Sequence, residues 1–272
     1  MYVEGGLNVK ISIASFSFHG LRAAGLIDGF GYLETIKYRY GLDAADFWNG
    51  ILGPNELLFD PDYQKKLRDA LAERELTVAN YHVDGCHVWE DDPGAREKNY
   101  QDALKHLECA RAIGATTVRI DAGGKGHVWT EEQFDLIVRR MREYAQIGGD
   151  WGFRAGPESH WGPELVPDNM ERLARAVDHP GFGILLHIGH WENAPAEEGD
   201  RRLARWAVHT HVDAQVTRTR LEPAMRMLMA AGYEGYWGVE HHSAVNEYAE
   251  VAYQLAEVRR VLSKMRLENE SL

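Results

Sequence analysis

The stretch Ala155-Gly156-Pro157-Glu158-Ser159-His160-Trp161-Gly162-Pro163 decides the fold. An apolar run, Trp151 to Ala155, leads into it, and Pro167-Asp168 opens a helical pattern after it. It therefore reads as the end of a strand and a short loop, carrying a carboxylate and an imidazole two residues apart. Three later segments have the same form: Ile184-Leu185-Leu186-His187-Ile188-Gly189-His190, Val208-His209-Thr210-His211-Val212-Asp213 and Trp237-Gly238-Val239-Glu240-His241-His242. Four successive strand ends each deliver side chains of the metal-ligating type.

Working outward, the same rhythm fills the chain. Strands are predicted at Ile11 to His19, Leu42 to Trp48, Leu76 to His82, Thr116 to Asp121, Phe153 to Pro157, Phe182 to Leu186, Ala207 to His211 and Tyr236 to Glu240. The second is the least strand-like, with two alanines and two aspartates. Helical patterns lie between them: Asp28 caps one that Gly41 ends, Pro61 starts another, and Gly114 stops the one through Leu104 and Leu107. Eight alternating units without a composition break predict α/β architecture, a single (β/α)8 barrel over residues 1–272 with a loose tail from about 266. The alternative, an open doubly wound sheet, calls for a Gly-rich turn after strand one, where Phe18-His19-Gly20-Leu21 offers one glycine. Gly123-Gly124-Lys125-Gly126 lacks the P-loop pattern and reads as a flexible active-site loop.

Composition narrows the function. A net charge of −12 argues against a nucleic-acid partner held through phosphates. Cys86 and Cys109 are the two cysteines and have no CxxC spacing, so reduced thiols in a cytoplasmic protein are expected. No run of 18 apolar residues exists, and residues 1–6 carry no basic-then-apolar signal, so no membrane partner is expected.

Of the 13 histidines, all but His106 and His179 fall at or just beyond a predicted strand end. In a barrel of this kind the active site lies at the C-terminal ends of the strands. Glu158, His187, His211 and Glu240 would end strands five to eight, and two carboxylates with two imidazoles suit a divalent transition metal. Nitrogen ligands favour manganese, cobalt, iron or zinc over magnesium or calcium. The plainer alternative is that Glu158 and Glu240 pair with Arg119 or Arg154 at the barrel mouth.

These segments, together with Gly232 to Glu240 (GYEGYWGVE), resemble the sugar isomerase/epimerase superfamily with the xylose-isomerase-like barrel, which includes the AP-endonuclease branch. The resemblance runs from Ile11 to about Leu262. It implies a ligand set of Glu, Asp, His and Glu at the four strand ends, matched here by Glu158, His211 and Glu240. The chain departs at His187, where the family usually has the Asp of an Asp-x-x-His pattern. The second residue of that pattern is kept as His190, normally a substrate contact. Either His187 is a softer ligand or Glu158, His211 and Glu240 form a three-ligand site, with Asp213 as a replacement carboxylate or a partner that orients a ligand.

The resemblance further implies a metal-dependent isomerase or epimerase, with manganese the first choice of ion. Two adjacent sugar oxygens bind the metal; Glu158 or Glu240 removes a proton beside the carbonyl and the other returns it through an enediolate. If a leaving group lies β to the carbanion, the same start gives a lyase or dehydratase. A sugar-binding protein or an AP-endonuclease-like nuclease are further alternatives, although the nuclease's three-metal set is not assembled here. His160 is an additional acid or base, and Trp161 is placed to stack on a sugar face. His82, Arg119, Asp121 and Arg218 are candidate substrate contacts. The substrate expected is a neutral carbohydrate or polyol, and the assembly a homo-oligomer.

Overall fold

In the first four strands of the chain, polar and apolar residues alternate. Ser12 lies between Ile11 and Ile13, Asp46 between Ala45 and Phe47, and Arg119 between Val118 and Ile120, while Asn80 and His82 flank Tyr81; all are buried. Successive side chains of a strand point to opposite faces. In these strands one face is therefore apolar and packs under helices, and the other carries polar side chains that meet inside. Phe47 against Tyr32, with ring centroids 5.6 Å apart, is one such strand-to-helix contact.

The computed structural model describes residues 10–270. Its strands are β1 (Ile11–Ile13), β2 (Ala44–Trp48), β3 (Thr77–Val83), β4 (Thr117–Ile120), β5 (Arg154–Gly156), β6 (Ile184–His187), β7 (Ala207–Val212) and β8 (Trp237–Val239). All pairings are parallel. They form two arcs, β1-β8-β7-β6 and β2-β3-β4-β5. Single bridges join the arcs: Ala14 to Asp46 on one side, Ala155 to Phe182 and Glu158 to Leu185 on the other. Cyclic order with a helix after every strand makes this a (β/α)8 barrel. Among the described residues no helix is long and apolar enough to cross a membrane.

The helices begin where the sequence places caps. Asp28, Asp60, Asp92 and Thr130 each accept a backbone N–H of the helix that follows, and Thr130 shares a capping box with Gln133. Such a cap contributes about 1 kcal/mol. Three expectations need correction. The apolar run Trp151 to Ala155 is split: Trp151 ends the helix Glu131–Trp151, and β5 begins at Arg154 rather than Phe153. The first strand stops at Ile13: a 3-10 helix, Ser15–Phe18, follows it and runs into a short helix, His19–Ala23, where the Glu247 carboxylate accepts the N–H groups of Gly20 and Leu21 (2.8 and 3.0 Å). The helix Glu247–Glu270 continues through residues expected to form a loose tail; residues 271–272 lie outside the described range.

Candidate metal centre

β5, β6, β7 and β8 are consecutive around the barrel, and their carboxyl ends bring Glu158, His187, His211 and Glu240 together. One ligand atom from each lies within 4.8 Å of every other, and all four residues are buried. His187 Nδ1 is 3.0 Å from Glu158 Oε1 and 3.6 Å from Glu240 Oε2. His211 Nδ1 is 3.2 Å from the same Glu158 oxygen and 3.3 Å from the same Glu240 oxygen. Both imidazoles thus turn the same ring nitrogen towards both carboxylates. The donor set fits a divalent ion: two buried carboxylates face each other across two imidazoles, and an ion bound between them would neutralise that charge.

The surroundings hold both glutamates ionised. Burial alone would raise the Glu158 carboxyl, but His160, Arg119 and His211 outweigh it and keep it well below the usual carboxylate range. Glu240 is likewise pushed up by burial and brought well below that range by His211, His242 and His187. His211 itself, despite burial, is raised well above its ordinary value by Glu240, Glu158 and Asp46. His242 Nε2 hydrogen-bonds to Glu240 Oε2 at 2.9 Å from the exposed side.

Asp46 on β2 escaped the sequence reading. Fully buried, it accepts from His209 Nε2 (2.7 Å), Ser12 Oγ (3.1 Å) and Asn80 Nδ2 (3.0 Å). Its Oδ2 also lies 3.4 Å from His211 Nε2, opposite the ring nitrogen that faces the glutamates. Asp46 is thus the buried carboxylate behind His211, while Asp213 has a ligand atom within 4.8 Å of His187 and His242. Asp213 also accepts the Val216 N–H at 2.7 Å and caps the helix Ala214–Thr219. The network needs Gly238 on β8: a Cβ there would stand 2.6 Å from the Thr210 carbonyl and 2.9 Å from His209 Nε2.

The remaining candidates divide. His160 Nδ1 is 3.3 Å from Asp121 Oδ2 and 4.0 Å from Glu158 Oε2. Burial lowers its pKa, but Glu158 and Asp121 prevail and raise it to about 9, so it is an imidazolium at neutral pH. Arg119 is buried with its guanidinium engaged: Nη1 donates to Asp121 (2.6 Å) and Asp84 (3.0 Å), Nη2 to His82 (3.5 Å), and Nε lies 3.2 Å from Glu158 Oε2. The Arg119–Glu158 pairing considered from the sequence is present, and it coexists with the ligand cluster. His82 is buried between Arg119 and His211, and burial first of all lowers its pKa to about 4. His190 stacks on His187 with centroids 4.3 Å apart. Arg218 is 3.1 Å from Glu250 on the rim, outside the cluster. Cys86 and Cys109 are free and buried.

A parallel barrel whose carboxyl-end cluster of Glu, His, His and Glu is able to hold a metal defines a class of protein. The family model of the xylose isomerase-like TIM barrel matches residues 38–264, and the chain belongs to that family. No curated protein sequence matches it. Its fold is similar to that of an L-ribulose 3-epimerase (TM-score 0.74, 16% identity, 96% of this chain and 97% of that one). It is similar also to the 3-keto-D-glucoside 4-epimerase YcjR from E. coli (TM-score 0.73, 15% identity, 93% and 100%). AsbF from Bacillus anthracis, assigned as a 3-DHS dehydratase, aligns at TM-score 0.69 with 15% identity over 90% of this chain and 97% of that one.

Proposed function

We propose that the chain is a divalent-metal-dependent epimerase or isomerase of a sugar or keto-sugar. One observation carries the reading: two buried carboxylates from different strands, Glu158 and Glu240, meet the same pair of imidazole nitrogens at 3.0 to 3.6 Å. A group that removes a proton and a group that returns it must reach the same carbon, and carboxylates flanking one position suit that task. Glu158, His187, His211 and Glu240 would hold the ion. Manganese is the first choice, with cobalt, iron or zinc as alternatives, because imidazole ligands suit these metals better than magnesium or calcium. When bound, the ion supplies positive charge beside two adjacent substrate oxygens.

One glutamate takes the proton from the carbon beside the carbonyl and the other delivers it back. Arg119 and the His160 imidazolium keep Glu158 ionised and oriented, and His242 does the same for Glu240. His190 and His242 would contact substrate hydroxyls. The substrate class is a small carbohydrate or polyol, as the names of the two epimerases of similar fold suggest, and the working form is a homo-oligomer.

A β-eliminating lyase is the second reading. The charged His160 beside Glu158 is an acid suited to protonating a leaving group, and the AsbF fold is similar. Proton NMR in D2O with manganese-loaded protein and a panel of ketoses and keto-sugars tests both. Deuterium at the carbon beside the carbonyl is expected, and Glu158→Gln or Glu240→Gln should slow its incorporation by about 10²–10⁴-fold. An unsaturated product would move the assignment to the lyase. Neither exchange nor elimination with metal-loaded protein would contradict both readings.

A further inference from the structure

Beside the metal centre, beyond the ends of β3, β4 and β5, lies a separate cleft of about 300 Å³, lined by His87, Trp89, Glu90, Asp91, Lys125 and Trp161 together with Gly123 and Gly124. That volume stands at the lower end of small-molecule sites, roughly 300–1,000 Å³. It suits one ring rather than a chain of them. None of the four metal-centre residues lines it.

Its walls are fixed. Gly123 bridges to Trp89 as a short parallel pair, and Trp129 Nε1 donates to the Gly123 carbonyl at 2.8 Å. The Gly123-Gly124-Lys125-Gly126 segment, expected to be a flexible loop, is thus pinned at its start. Gly123 has φ +77°, and a Cβ on it would stand 2.4 Å from the Trp89 carbonyl oxygen. Only glycine fits there, so the close Gly123–Trp89 approach that forms this wall depends on it. Across from it Trp161 is 45% exposed, unusual for a tryptophan beside a cluster of buried ligands. The His87 ring meets Trp161 edge-on with centroids 4.5 Å apart, and His87 Nδ1 is 2.8 Å from Glu90 Oε1. Lys125 Nζ lies 2.6 Å from Asp91 Oδ2 across the rim. A half-exposed indole with a carboxylate, a carboxylate–ammonium pair and an imidazole around it is the chemistry that recognises a sugar ring: C–H groups on the indole, hydroxyls on the rim.

His160 joins the two sites. Its ring is 5.6 Å from that of Trp161, and its Nδ1 is 4.0 Å from Glu158 Oε2. We propose that the cleft is a second carbohydrate subsite, taking a pyranose ring glycosidically joined to the sugar at the metal centre, so that the substrate is a disaccharide or glycoside rather than a monosaccharide. The linkage to a reacting sugar rests on the proposed function; the subsite itself does not.

Saturation-transfer NMR on the full-length protein tests it, with maltose, cellobiose, lactose and glucose as probes. At least one disaccharide should receive stronger transfer than glucose, reaching both rings. Loss of the stacking surface in Trp161→Ala should weaken that disaccharide's binding about fivefold, with partial recovery in Trp161→Phe. Glu240→Gln should keep transfer to the distal ring. Equal transfer to glucose and every disaccharide, or a disaccharide signal unchanged in Trp161→Ala, would overturn the subsite. Because the readout needs no turnover, Trp161-dependent disaccharide binding without carbon-bound proton exchange would sink the epimerase reading and leave the subsite standing. Exchange on monosaccharides with no disaccharide preference would do the reverse.

Discussion

A carboxylate sealed inside a barrel needs several donors, and Asp46 has hydroxyl, amide and imidazole partners on β1, β3 and β7. Burial would raise its carboxyl, yet His209 and His211 outweigh that and hold it well below the usual range. A carboxylate on the far nitrogen of a ligand histidine fixes its tautomer and orientation. Asp46→Asn should therefore weaken manganese binding about 10–100-fold, measured by calorimetric titration of stripped protein. Unchanged affinity would remove Asp46 from the site. The four cluster residues were legible because each ends a strand in a segment of the same form. Asp46 was not: it sits inside the least strand-like segment, and its partner His209 is 163 residues away. Its importance is a contact across the barrel, which periodicity does not encode. Only part of the surroundings of Arg119 was legible, for a related reason: a lone arginine at a strand end does not reveal that Asp84 and Asp121 also lie against it.

Elements were easier to read than their ends. The buried strands were legible as apolar or β-rich runs, and Asp28 and Pro61 announced helices; the end of β1 at Ile13 was not marked within the run Ile11 to His19. The helix Pro93–Ile113 packs on β3 through His106, whose Nδ1 lies 2.7 Å from Tyr81 Oη and whose Nε2 lies 3.1 Å from Asn55 Oδ1. Burial depresses the His106 pKa to about 4. The unfolded chain, with an ordinary value near 6.5, then binds a proton between pH 6.5 and 4 that the folded chain does not. This contribution to stability is complete above pH 6.5 and declines as the pH falls through that window. Urea unfolding of metal-stripped protein at pH 7 and 5 should show the wild type losing about 2 kcal/mol more than His106→Gln. Equal losses would mean that His106 does not carry this dependence.

At the scale of the whole molecule, a barrel with a polar interior at one end concentrates imidazole and carboxylate where eight strands converge. The chain's net charge of −12 is consistent with attracting a cation. His187 is the position where the chain leaves its family's usual aspartate, and the structure gives it the same reach to both glutamates as His211. Metal content of the purified protein by elemental analysis, alongside Glu240→Gln and His187→Ala, tests the four-residue centre most directly. One equivalent of manganese, cobalt, iron or zinc per chain in the wild type, lost in Glu240→Gln and reduced in His187→Ala, is the expected result. A wild-type protein that neither carries nor takes up such a metal would contradict the account, and full occupancy in His187→Ala would reduce the centre to Glu158, His211 and Glu240.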